Sequence, residues 1–179
     1  IIDISYNDIE AVASDVLTDL PPNLREFVLT GNSISGKLPN PLPLLEEMRR
    51  FIINENQLTG QLPDISRSLP IIRELDLSNQ TGRGGLVGPI PTRWSNMRVL
   101  ERLDISYNNF NGKLPPSIGN LPQLRVLNVS NNILSGSFIP YEIGKLADSL
   151  QSFDASNNKG TGLLPSILGD FSEASMQLS

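Results

Sequence analysis

The stretch LERLDISYNNFNGKLP, residues 100–115, contains an unusual pattern of apolar residues, Asn, Gly and Pro. Its apolar residues Leu100, Leu103 and Ile105 stand at positions one, four and six of the stretch. The alternation from position three to position seven is that of a short strand, and no helical period continues beyond it. Asn108 at position nine, and the Gly and Pro that follow, are residue types that turns favour. The stretch therefore predicts a short strand that leads directly into a turn.

The same pattern recurs along nearly the whole chain. Amide side chains align with Asn108 at successive intervals of 25, 24, 24, 28, 24 and 26 residues, within the frame LxxLxLxxNxLxGx[IL]P. A fixed period of this length indicates a repeat protein whose coils stack and share one core. Because an amide side chain both donates and accepts hydrogen bonds, it can satisfy backbone groups of adjacent coils. We predict a structural ladder of Asn7, Asn32, Asn56, Gln80, Asn108, Asn132 and Asn158.

This frame resembles the plant-type subclass of leucine-rich repeat proteins, which is known from receptor-like kinase and receptor-like protein ectodomains and from polygalacturonase-inhibiting proteins. The resemblance implies an α/β fold: a right-handed solenoid with a parallel β-sheet on its concave face and irregular or 3-10 convex segments. We expect one domain over residues 1–179. Its approximate repeats are 1–23 (partial and atypical), 24–47, 48–71, 72–99 (with a short insertion, 81–85), 100–123, 124–149, 150–175 and the start of a further repeat.

Composition excludes several classes of function. A net charge of −5 argues against a nucleic-acid surface. The chain has neither Cys nor His, which excludes thiolate zinc sites and Cys- or Ser–His–Asp catalysis. We therefore expect no enzymatic activity, no cofactor, no metal and no membrane contact within this segment. The cysteine-paired caps that extracellular plant members usually carry are missing, so we interpret the chain as a segment of a longer protein or a Cys-poor relative.

Position three of successive repeats faces outward on the concave side and alternates in charge. It reads Glu26, Arg50, Glu74 and Arg102. Neighbouring strands lie about 4.8 Å apart, so each charge meets an opposite one. We favour a self-neutralised ladder, in which each exposed pair contributes about 0.2–1 kcal/mol.

Position two carries like charges in three consecutive repeats, Arg25, Arg49 and Arg73, which we call the arginine row. Three like charges are not self-neutralising, although nearby glutamates relieve part of their repulsion. Tyr6 and Tyr107 stand at position eight, on the opposite rim of the strands. Arginine and tyrosine are residue types that protein interfaces favour.

Position five, mostly Asp or Asn, holds Val28 and Ile52 in two repeats, which predicts a small exposed apolar patch beside the arginine row. Our hypothesis is that Arg49, Arg50, Val28 and Ile52 form the centre of a contact site for an acidic or carboxylate-bearing segment. The alternative is a solvated edge whose charges are compensated by glutamates.

The resemblance implies a binding module whose partner is a protein or peptide ligand, with a co-receptor as a further candidate. The first interpretation is part of the ectodomain of a cell-surface receptor-like protein or receptor-like kinase, whose full length would add a transmembrane helix. The alternatives are a secreted inhibitor of a cell-wall-degrading enzyme and an intracellular repeat scaffold. The first two place the chain at the extracellular face of the plasma membrane or outside the cell, and the third places it in the cytoplasm.

Departures from the frame mark local features. The first repeat lacks the GxIP ending, which favours a more helical back. Gly160 replaces an expected Leu and predicts a weak point, and Ile139 comes one residue late, which predicts a small bulge.

Two Asn-x-Ser/Thr sequons make Asn79 and Asn128 candidate N-glycosylation acceptors. We expect a glycan at the exposed turn of Asn79, and either none at Asn128 or ligand binding elsewhere.

Overall fold

A computed structural model describes residues 1–170 and 175–177. Short strands, one α-helix and four 3-10 helices make up the regular structure of these residues. The strands are β1 Ile2–Asp3, β2 Glu10–Val12, β3 Glu26–Val28, β4 Ser33–Gly36, β5 Arg50–Ile52, β6 Gln57–Leu58, β7 Gly60–Gln61, β8 Glu74–Asp76, β9 Leu86–Pro89, β10 Arg102–Asp104, β11 Asn109–Gly112, β12 Val126–Asn128, β13 Ile133–Gly136, β14 Ser152–Asp154, β15 Lys159–Gly160 and β16 Ser175–Gln177. The α-helix is α1 Ala13–Leu17, and the 3-10 helices are Thr92–Asn96, Pro116–Asn120, Tyr141–Leu146 and Ser166–Asp170.

One strand from each coil joins an eight-stranded parallel sheet, in the order β1-β3-β5-β8-β10-β12-β14-β16, which we call the concave sheet. This arrangement confirms the α/β solenoid that the sequence predicts. Strand β16 pairs in register with β14. The rest of the further repeat expected at this end falls on residues 171–174 and 178–179, which lie outside the described residues.

The core is built by positions four and six of each coil. In-register pairing places Phe27 beside Phe51 and Phe51 beside Leu75, and all three side chains are buried. The rings of Phe27 and Phe51 stack with centroids 6.0 Å apart. Because side chains alternate across a strand, burying positions four and six leaves positions three, five and seven on the opposite face.

The back of each coil is built from short strands and helical turns. A five-stranded parallel sheet, in the order β15-β13-β11-β9-β7, and a three-stranded sheet, β2-β4-β6, follow the concave sheet along the chain. Trp94, in the Thr92–Asn96 helix, is buried in the core. The first repeat differs, as expected, because its back carries α1, whose Ala13 and Leu17 are buried.

The amides at position nine tie each coil to its neighbour. The Nδ2 of Asn108 donates to the Leu77 carbonyl of the preceding coil at 3.0 Å, and the Leu86 backbone N–H donates to its Oδ1 at 3.1 Å. Gln80 makes the same pattern with the longer side chain, donating to Ile53 O at 2.8 Å and accepting from Leu58 N at 3.0 Å. The replacement of Asn by Gln therefore keeps the ladder continuous.

The repeat pattern expects a leucine at the position of Gly160. The ring of Phe138 occupies the space that this leucine side chain would fill. A Cβ on Gly160 would lie only 2.6 Å from Cε1 of Phe138. Phe138 precedes the extra residue Ile139, and the chain bends at this point. An open cavity of about 380 Å³ remains beside these residues, and Leu164 on its wall is 60% exposed.

Candidate functional site

Arg50 is the centre of an ion ladder on the concave sheet. Its Nη1 lies 2.8 Å from Oε2 of Glu26 and its Nε lies 2.7 Å from Oε2 of Glu74, on the strands to either side. The ladder continues from Glu74 to Arg102, at 3.6 Å. The hydrogen bonds that Arg50 donates to Glu74 and, with a smaller effect, to Glu26 raise the pKa of Arg50. The self-neutralised ladder expected from the alternating charges is present, and it occupies the Arg50 guanidinium.

Glutamates compensate part of the charge of the arginine row, as expected from the sequence. Arg25 pairs with Glu47 at 2.9 Å, and Arg73 pairs with Glu101. Arg49, by contrast, makes no ion pair with any residue that the structure describes, and its side chain is exposed. The partner of Arg73 was readable from the sequence, because Glu101 holds position two of the next repeat. Glu47 lies in a connecting segment outside the strand pattern and was not.

The backbone brings the three members of the row together. The Arg49 N–H donates to the Arg25 carbonyl at 2.8 Å, and the Arg73 N–H donates to the Arg49 carbonyl at 2.8 Å. The arginine row therefore lies along the side of the concave sheet at which the strands begin, and we call this side the edge of the sheet. Of the three arginines in the row, Arg49 is the one that no described glutamate or aspartate compensates.

The prediction of an exposed apolar patch at Val28 and Ile52 is wrong. Both side chains lie on the concave face and outside the main core cluster, yet they are only 9% and 7% exposed. Each lies in register between position-five neighbours, with Ile52 between Val28 and Asp76. Because neighbouring strands lie about 4.8 Å apart, the surrounding side chains shield a side chain at position five from water. A partner would touch this surface only through the edges of these side chains.

Tyr6 and Tyr107 lie on the rim where the concave strands end. They are 74% and 57% exposed, and their φ angles of 54° and 52° are in the left-handed region. Such a conformation is unusual for a bulky residue and costs on the order of 1 kcal/mol. The Tyr6 ring lies against Gly31 of the next coil, where an added Cβ would approach Cδ1 to 2.6 Å.

Position five carries carboxylates in the central coils. Oδ1 of Asp76 accepts hydrogen bonds from the backbone and the hydroxyl of Ser78, and Asp104 is its partner in register. Burial raises the pKa of Asp76, against the opposing effect of the Ser78 hydrogen bonds. Among residues 1–170 and 175–177, no group of acidic side chains has the arrangement of a metal site.

The two sequon asparagines occupy different surroundings. Asn79 is exposed at position eight, with a φ of 53°. Asn128 lies at position five of β12, where its Nδ2 donates to Oδ2 of Asp104 at 3.1 Å. The first is on the rim of the concave sheet and the second is on its face.

Four stretches of the chain match the family model described as Leucine Rich Repeat, at residues 23–45, 99–121, 123–146 and 149–171. The chain belongs to the leucine-rich repeat family. Among curated proteins, it is 32% identical to Receptor-like protein 53 of Arabidopsis thaliana over 96% of the chain and 20% of that protein. It is 39% identical to Receptor-like protein 6 of the same plant over 81% of the chain and 14% of that protein. The chain thus spans about a fifth or less of the length of these relatives.

Solved structures of plant receptor ectodomains share the fold. The plant peptide hormone receptor RGFR1, solved in complex with RGF2, superposes with a TM-score of 0.85 at 29% identity, over 99% of this chain and 28% of that one. The ectodomain of the Arabidopsis thaliana membrane receptor kinase GASSHO1/SCHENGEN3, in complex with CASPARIAN STRIP INTEGRITY FACTOR 2, gives 0.86 at 30% identity, over 97% and 20%. None of the helices in the described residues has the length and hydrophobicity that a transmembrane span requires.

Proposed function

We propose that this chain is a non-catalytic, protein- or peptide-binding part of the extracellular ectodomain of a plant receptor-like protein or receptor-like kinase. The observation that carries the proposal is the superposition of 99% of the chain on an ectodomain solved with its peptide hormone. The relatedness to plant receptor-like proteins supports the same function. A second protein, such as a co-receptor, is a further candidate partner, since one such neighbour was solved with both peptide and co-receptor.

Within this function, the arginine row is the edge at which a ligand carboxylate binds. Arg49 is exposed, and the backbone hydrogen bonds hold it between Arg25 and Arg73. Like charges about 4.8 Å apart repel by roughly 0.9 kcal/mol in water. A carboxylate that pairs with Arg49 relieves this repulsion without displacing any glutamate. Arg50 is different, because a ligand would have to replace Glu26 or Glu74.

Val28 and Ile52 form the floor beside this edge, and Tyr6 lies on the far rim, in the coil that precedes that of Val28. A bound segment would run from the arginine row across these buried apolar side chains. Because Val28 and Ile52 are little exposed, they contribute the shape of the binding surface. The charged contact at Arg49 supplies most of the selectivity for a ligand. This surface fits an extended peptide that ends in, or contains, a carboxylate.

The experiment is a binding screen of a synthetic peptide library with free carboxyl termini against the immobilised chain. Arg49→Glu should weaken binding of a recovered peptide at least tenfold, whereas Arg67→Glu, an exposed change remote from the concave strands, should leave it unchanged. The double change Arg49→Glu with Arg50→Glu should abolish binding while circular dichroism is preserved. Binding that survives the double change at both low and high salt would contradict the proposed site.

A further inference from the structure

Asn79 has the surroundings of an accessible modification site. It lies directly before Gln80, whose amide is buried in the ladder, but its own side chain is exposed at the turn. Within the described residues its side chain makes no hydrogen bond, and only its backbone N–H is engaged, donating to the Ser106 carbonyl at 2.9 Å. Thr81, the third residue of the sequon, is also exposed and opens the lengthened turn at residues 81–85. A large group on Nδ2 of Asn79 therefore displaces nothing in the fold.

Asn128 has the opposite surroundings. Its Nδ2 donates to Oδ2 of Asp104 at 3.1 Å and to Oγ of Ser106 at 3.3 Å. Its Oδ1 accepts from the backbone and the hydroxyl of Ser130, at 3.1 and 2.8 Å. Strands β10 and β14 flank it in register. A sugar on Nδ2 would disrupt this polar network and would stand on the face of the concave sheet.

We propose that Asn79 carries an N-linked glycan and that Asn128 remains unmodified in the folded protein. This proposal rests on the extracellular location in the proposed function, because the oligosaccharide is added in the secretory pathway. In the transfer, Nδ2 of Asn79 bonds to C1 of the sugar and loses a proton, the bond from C1 to oxygen breaks, and the lipid pyrophosphate that carried the oligosaccharide leaves. Because transfer precedes folding, the structure decides which glycan the folded chain tolerates.

The proposed glycan and the arginine row lie on opposite sides of the concave sheet. Asn79 and Tyr107 occupy position eight of adjacent coils, and the Gln80 N–H donates to the Tyr107 carbonyl at 3.3 Å. The glycan thus stands beside Tyr107, on the rim opposite the arginine row. It occupies the rim at Tyr107 and leaves Arg49 and the concave face open to a partner. Tyr107 accordingly belongs to the glycan side of the surface rather than to the ligand contact.

The test is site mapping by mass spectrometry on the chain secreted from plant cells behind a signal peptide. Enzymatic release of glycans in ¹⁸O water converts an occupied Asn to labelled Asp. We expect label at position 79 and none at position 128. Thr81→Ala should remove the label, Thr81→Ser should retain it, and Ser130→Ala should leave the pattern unchanged. A bare Asn79 in secreted protein with a native circular dichroism spectrum, or a glycan at Asn128, would overturn the proposal.

Peptide binding separates this proposal from the proposed function. If Asn79 is bare but Arg49→Glu still weakens peptide binding at least tenfold, the glycan proposal fails and the binding function stands. If Asn79 is occupied but the Arg49→Glu protein binds like the parent, the glycan proposal stands and the binding site fails.

Discussion

The Nε of Arg50 donates to Oε2 of Glu74, on the neighbouring strand of the concave sheet, at 2.7 Å. The same guanidinium reaches Glu26 on the other side at 2.8 Å. A side chain held from both sides is a structural element of the sheet surface. Of the adjacent pair Arg49 and Arg50, the first is therefore the residue whose charge is available to a partner.

The ion ladder predicts a small, salt-sensitive contribution to stability. Glu74→Gln removes the charge that pairs with Arg50 and Arg102, and it should lower the free energy of unfolding by about 0.5–1 kcal/mol at low salt. The loss should shrink at 1 M salt, because these side chains are partly exposed. Urea denaturation at the two ionic strengths measures it. Glu55→Gln is the control, since Glu55 is exposed and makes no ion pair among the described residues. An equal loss at both salt concentrations would contradict this electrostatic reading.

The amide ladder predicts a large difference between two asparagines. Asn108 is buried, and its removal leaves the Leu77 carbonyl and the Leu86 N–H without their side-chain partner. Asn108→Ala should cost about 2–4 kcal/mol of unfolding free energy. Asn7→Ala should cost less than about 1 kcal/mol, because Asn7 is exposed and bonds only within its own coil. Similar losses for the two variants would show that the ladder does not stabilise the stack.

The Asp76 carboxylate predicts a pH-dependent gain from a neutral replacement. Its pKa is raised by burial, so the folded state binds the proton more tightly than the unfolded state does. Stability therefore falls as the pH rises through the interval between the unfolded and the folded pKa. Asp76→Asn should keep the Ser78 hydrogen bonds, as Asn128 does with Ser130, and should remove the repulsion from Asp104.

The free energy of unfolding of Asp76→Asn should exceed that of the parent at pH 7, because the variant has no buried carboxylate to ionise. The gain should disappear as the pH falls below the ordinary range of an aspartate. Denaturant titrations between pH 3 and pH 7 measure it. A gain that persists unchanged at the acid end would mean that packing, rather than charge, is responsible.

Position eight predicts a stabilising substitution. Glu55 has a φ of 54°, in the left-handed region that Asn tolerates better than Glu. Glu55→Asn should raise the unfolding free energy by roughly 0.5–1 kcal/mol. The reverse change Asn157→Glu, at a φ of 53°, should lower it by a similar amount. Thermal unfolding of both proteins compares the two directions, and shifts of the same sign would contradict the backbone argument.

Much of this fold is readable from the sequence because one local frame specifies it repeatedly. The two-residue alternation around Leu103 predicted which side chains enter the core. The alternating charges of Glu26, Arg50 and Glu74 predicted the ion ladder. Burial of Val28 and Ile52 was not readable, because exposure on a sheet face depends on side chains contributed by other coils. The pairing of Arg25 with Glu47 was missed for a related reason, since Glu47 belongs to a connecting segment without a repeating pattern.

Arginine-specific labelling with phenylglyoxal tests whether a partner carboxylate binds at the arginine row. Arg49 and Arg67 are both exposed and provide the site and its internal control in one unmodified chain. Mass spectrometry measures the labelling rate of each with and without a saturating peptide from the library screen. We predict that bound peptide slows labelling of Arg49 at least severalfold and leaves Arg67 unchanged. Unchanged labelling of Arg49 in the saturated complex would contradict the claim.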